Sequence, residues 1–97
     1  MEDRQVKILG LTYCISEVDC VNKEELRRGE INFLTNEIRI DKSMPDDLKK
    51  QVLIHEILHA VFDQLGYEDL CTDESKVQGI ATALHQILKD NDKLFFL

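Results

Sequence analysis

The stretch from Pro45 to Gly66 constrains this chain more than any other, because it holds no glycine or proline between its two ends. Within it Leu53, Ile54, Ile57, Leu58, Val61, Phe62 and Leu65 recur at three- and four-residue spacing. Only a helix gathers such positions on one wide face. Ser43 is a candidate cap, and Pro45 suits a first turn. Asp46 and Asp47 lie where the helix dipole favours acids, and Gly66 supplies the stop. His55, Glu56, His59 and Asp63 fall together on the remaining side.

The rest of the chain must cover that helix. Val6 to Val18 is rich in β-branched and other apolar residues and reads as one strand or two short ones, with Gly10 as a bulge. Asn22 to Gly29 is a charged connection with room for one helical turn. In GEINFLTNEIRID, Ile31 and Phe33 precede Thr35-Asn36 while Ile38 and Ile40 follow, so alternation flanks a turn signal and predicts a β-hairpin. Asp73 can cap a second helix in which Val77, Ile80, Ala81, Leu84, Ile87 and Leu88 repeat at helical spacing up to Asn91. The tail KLFFL either packs back onto the sheet or moves freely. With 97 residues there is material for one core. The expected fold is a single α+β domain spanning 1–97: a small antiparallel sheet, a long helix against it, and a second C-terminal helix.

Charge narrows the function. A formal net charge of -7 opposes a direct grip on nucleic-acid phosphates and favours a basic protein or a metal cation as partner. No apolar run approaches the ~20 residues of a membrane span. The acidic start MEDRQVKILGLTY lacks the positive region and cleavage site of a secretory signal. Cys14, Cys20 and Cys71 are odd in number and irregular in spacing, which reads as reduced thiols and a cytoplasmic setting.

The sequence HEILH, His55 to His59, uses two of only three histidines. Residues four apart on a helix lie one turn above each other, so both imidazoles can aim at one point, as a zinc ion requires. Glu56 follows the first histidine and is placed to act as general base in peptide-bond hydrolysis. The alternative is an ordinary solvated helix edge, against which the i, i+4 pair around a glutamate argues. Two histidines do not complete a catalytic zinc site, which normally has three protein ligands. Glu74 is the favoured third, since a carboxylate bordering an apolar stripe needs a partner. The competing readings of Glu74 are a dipole-favoured acid in a first turn, and of Asp73 a cap. Gln78 is a poor ligand, Cys71 reads as a small buried apolar residue, and Asp63 reads as solvated surface, with acceptance of an imidazole N–H as its alternative. His85 reads first as an interface or surface histidine, and is held in reserve as a catalytic residue stabilising the transition state.

The segment GEINFLTNEIRIDKSMPDDLKKQVLIHEILHAVFDQLG followed by DESKVQGIATALHQIL resembles the small zinc metallopeptidases of the ImmA/IrrE type, above all their short phage and mobile-element relatives. The resemblance spans Gly29 to Leu88, about two thirds of the chain. It implies a minimal zincin-like fold, with Zn2+ held by His55, His59 and an acidic residue of the following helix, and Glu56 as base. Gln78 stands where relatives often carry glutamate, and Glu74 lies a turn earlier. The implied activity is hydrolysis of a protein or peptide substrate such as a helix-turn-helix repressor. The rival reading is a non-catalytic metal- or protein-binding module of phage origin.

Overall fold

Strand alternation organises the first half of the molecule, for which the computed structural model describes residues 4–95. β1 (Arg4–Ile8) and β2 (Leu11–Val18) form an antiparallel hairpin. Leu9 and Gly10 join them with φ of 49° and 89°, the paired positive angles that match the twist of a two-residue hairpin turn. Gly10 is therefore a turn residue and not a bulge, and Val6 to Val18 is two strands. β3 (Gly29–Asn32) and β4 (Glu37–Asp41) form the second hairpin, as the alternation predicts. Its turn is set earlier than Thr35-Asn36. Asn32 Oδ1 accepts from the Leu34 amide at 2.9 Å and the Thr35 amide at 3.3 Å, which takes Phe33 out of the strand.

The sheet is mixed, which corrects the all-antiparallel expectation. Its order is β1-β2-β4-β3, and β2 runs parallel to β4, with Ile15 beside Ile38. The physical reason lies in residues 19–28, which carry the chain past the end of β4's position instead of folding it back. Parallel neighbours need such a crossover. The connection contains no helical turn.

α1 (Asp46–Leu65) follows β4 at once. Pro45 occupies the cap position without a side-chain hydrogen bond. Ser43 turns instead to Asp41 Oδ1, with its amide at 2.8 Å and its hydroxyl at 2.6 Å. Gly66 ends the helix at φ 76°, and the Tyr67 amide reaches back to the Phe62 carbonyl at 2.9 Å. A short α2 (Glu68–Cys71), not anticipated from the sequence, leads to α3 (Glu74–Asp90), capped by Asp73, whose Oδ1 accepts from the Lys76 amide at 3.1 Å. α4 (Asp92–Phe95) takes up the described part of the KLFFL tail; its last two residues lie outside the described range. No helix among the described residues is long and apolar enough to cross a membrane.

The apolar residues of α1 divide between two neighbours. Val52, Leu53, Ile57, Ala60 and Val61 pack on Ile8, Tyr13, Ile15, Ile38 and Ile40 of the sheet. Ile38 and Ile40 are sealed at 0% exposure, worth roughly 1.5–3 kcal/mol each. Ile54, Leu58 and Phe62 pack on Val77, Ala81 and Leu84 of α3. α3 runs antiparallel to α1, and polar pairs mark the register along one seam: Asp47 with Lys89, Gln51 with Thr82, His55 with Gln78, His59 with Glu74. The third arc of α1, between sheet and α3, carries His55, Glu56 and His59.

Candidate metal centre

Helical spacing brings His55 and His59 into contact, with ring centroids 4.9 Å apart and planes tilted by 59°. Their Nε2 atoms are 3.1 Å apart. Glu74, in the first turn of α3, meets both: Oε2 lies 3.0 Å from His55 Nε2 and Oε1 lies 3.0 Å from His59 Nε2. His59 is buried, His55 half-buried, and the Glu74 side chain is 70% exposed, so the cluster opens to solvent on the α3 side.

The proton positions follow from the outer partners. His55 Nδ1 is 2.8 Å from Gln78 Oε1. The Gln78 amide is oriented by its own N–H bond to Thr82 Oγ1 at 3.2 Å, while the Thr82 hydroxyl donates to the Gln78 carbonyl at 2.8 Å. Gln78 Oε1 is thus an acceptor, and His55 carries its proton on Nδ1. The Nε2 lone pair then faces a carboxylate oxygen and a second imidazole nitrogen. Such acceptors repel at 3.0–3.1 Å unless a proton or a cation lies among them. Tetrahedral zinc with bonds of ~2.0–2.1 Å places its ligand atoms about 3.3 Å apart, a few tenths beyond these distances. His55, His59 and Glu74 therefore fit a zinc ion in both chemistry and spacing.

Glu56 faces the same cleft but is only 6% exposed. Burial pushes its carboxyl up to about 7, the neighbouring His55 opposes the rise, and Glu74 adds to it. The carboxylate accepts no hydrogen bond from the described residues and faces the cleft. The cleft encloses about 790 Å3 between β3, α1 and the start of α3, with Leu26, Arg27 and Arg28 on its rim. Arg27 pairs with Glu25 at 2.9 Å.

Of the residues singled out from the sequence, His55, Glu56, His59 and Glu74 share this cleft. His85 does not line it. It lies three turns beyond Glu74, roughly 16 Å along the helix, and the seam sets it near the start of α1, where Asp47 feels its charge. Asp63 is exposed and takes no imidazole proton among the described residues. The group nearest His59 Nδ1 is Cys71 Sγ at 3.9 Å, whose thiol donates to the His59 carbonyl at 3.4 Å. Burial, then the carboxylates of Asp63 and Glu74, push the Cys71 thiol up, away from the thiolate a metal would require. Gln78 was readable only as a poor ligand; its role as partner to His55 lay in the spacing, since Glu74 and Gln78 repeat the four-residue interval of His59 and His55. Comparison with family models, with curated proteins and with solved structures finds no match to this chain.

Proposed function

We propose that the chain is a zinc-dependent peptidase of the cytoplasm that hydrolyses a peptide bond in an extended segment of a protein. The observation that carries this reading is the convergence of three lone-pair donors, His55 Nε2, His59 Nε2 and Glu74, beside a buried carboxyl in one open cleft. Zinc, when bound there, supplies Lewis acidity and lowers the pKa of water toward ~7. Glu56 takes the proton from the attacking water and returns it to the leaving amine, a task suited to a carboxyl that titrates near neutrality. Gln78 holds His55 in the tautomer that leaves Nε2 free. A site whose only purpose was to staple the fold would have no use for Glu56.

The edge of β3 offers the substrate main-chain partners. The Arg28 carbonyl accepts from the Asp41 amide at 2.9 Å, which makes this a hydrogen-bonded pair of the ladder. By the antiparallel alternation, the amides and carbonyls of Gly29 and Ile31 then face the free edge. An extended peptide adding there would lie along the cleft. A repressor of the helix-turn-helix class is the substrate that the resemblance of the motif favours.

Metal content tests the foundation. Protein produced without a histidine tag and in zinc-supplemented medium is expected to carry about one zinc per chain by elemental analysis. Metal at background level would remove the basis of the reading.

A further inference from the structure

Gly29 stands where the sequence gives no local reason for glycine. Its φ is not in the left-handed region, unlike that of Gly10 and Gly66, so an ordinary residue could adopt its backbone. On backbone entropy alone, alanine would stabilise the fold. Space is what forbids it. A Cβ at this position would lie 2.8 Å from Val52 Cγ1, 3.2 Å from the Arg39 carbonyl oxygen and 3.2 Å from Glu56 Oε2. The three neighbours differ in how they can yield. Val52 is a core side chain of α1, the Arg39 carbonyl is fixed in β4, and the Glu56 carboxylate is the one group with no hydrogen bond to hold it.

On the reading proposed above, we infer that Gly29 is a positioning residue for the general base: its missing side chain is the recess in which the Glu56 carboxylate rests, and β3 thereby sets where that carboxylate points. The surroundings agree. Glu56 is 6% exposed, lines the cleft and accepts no hydrogen bond from the described residues, so packing has a large part in its orientation, and Gly29 supplies one wall of that packing. The zinc donors proposed above belong to α1 and α3, and none is among the three atoms nearest the missing side chain. Ile31, two residues along, fills the equivalent inward position with a side chain and packs on the core.

The test must separate this role from crowding of Val52, so it is run in a Val52→Ala background, which removes the closest clash. Four zinc-supplied chains are compared: V52A, V52A with G29A, V52A with E56A, and all three together. The readouts are thermal melts, zinc affinity, and kcat and KM on a peptide pool. Gly29→Ala is expected to lower the melting temperature by about 4–8 °C when Glu56 is present. That loss should shrink measurably when Glu56 is alanine, because one collision partner is gone while the Arg39 carbonyl remains. With Glu56 present, Gly29→Ala should lower kcat at least tenfold, and KM and zinc affinity should stay within about twofold. The inference is overturned if Gly29→Ala costs the same in the melts with and without the Glu56 side chain. It is also overturned if V52A with G29A turns over as fast as V52A. If neither the parent nor V52A hydrolyses anything, the peptidase reading fails, and the melts alone still decide whether Gly29 positions Glu56.

Discussion

The two flanks of α1 are made of different materials. Toward the sheet, the helix lies on five sealed residues, Ile8, Tyr13, Ile15, Ile38 and Ile40, and its polar groups there are satisfied, as when Gln64 donates to the Ile8 carbonyl at 2.7 Å and to Tyr13 Oη at 3.0 Å. Toward α3, only Leu58, Val77 and Ala81 are buried, and a seam of polar pairs completes the contact. Such pairs between exposed groups contribute little stability each. The sheet flank therefore holds the helix in place, and the α3 flank decides what the helix can bind. On the proposed reading, docking of α3 and metal occupation of the His55–His59–Glu74 cluster would be coupled, because Glu74 belongs to the less firmly held partner.

The largest effect should come from the cleft between the flanks. Glu56→Gln preserves shape and removes the base, so on the proposed reading it should cut turnover by roughly 10²–10⁴-fold while leaving zinc content unchanged. Equal hydrolysis by parent and variant, measured on one peptide pool, would assign the activity elsewhere.

Next comes the sheet flank. Ile38→Ala should cost about 2–5 kcal/mol of global stability in urea titrations, with little change in zinc affinity measured well below the midpoint. If this variant instead lost zinc while barely changing its midpoint, the division between the flanks would be wrong.

A pH series on the metal-free chain sharpens the comparison. The folded-state carboxyl of Glu56 is raised from 4.5 to about 7, so the folded chain keeps a proton that the unfolded chain releases. Stability from this group is complete below the unfolded value and is lost as pH rises through about 7. Melts at pH 5 should exceed those at pH 7.5 by about 1–3 kcal/mol, and the Glu56→Gln variant should lack that component. Parallel profiles for the two proteins would remove burial of Glu56 as a cost to the fold.

Gln78→Ala should have the smallest effect, roughly a tenfold loss of zinc affinity in competition with a chelator, because the imidazole of His55 loses its orienting partner but remains a ligand. Affinity equal to the parent would show that the tautomer is set without the amide. Simple ligand chemistry gives Gln78 no such role, so this outcome also tests whether Gln78 matters beyond the metal's own shell.

Much of this arrangement was legible because it is local. The Gly66 stop, the Asp73 cap, both long helices and the Ile31–Ile40 hairpin follow from neighbours in sequence. The parallel partnership of β2 and β4 was not legible, since strand patterns say which face is apolar and not which edge is taken. Ser43 had a stronger local bond in Asp41 than in the helix. Glu74 was placed at the site for an incomplete reason: it does not border a sealed stripe but stands exposed at the mouth, reaching two imidazoles. His85 shares the sequence features of a site residue, but the length of α3 sets it away from the cleft. Gly29 left no trace in the pattern, because its constraint comes from a helix two elements away.

The order of the sheet also bears on how the molecule is assembled. β4 is the last strand among the described residues, yet it lies between two earlier ones. A chain emerging from the ribosome cannot extend its sheet outward from the first hairpin; β2 must wait for a partner that arrives only after β3, with the loop of residues 19–28 already in place. Closing that long-range pairing is the slow, entropically costly step of such a topology. α1 follows directly, and the segment bearing Glu74 is synthesised later still. On the proposed reading, the last donor is made only after the centre of the sheet can be filled, so a metal ion would act as a late clamp on a finished scaffold rather than a nucleus around which the chain gathers.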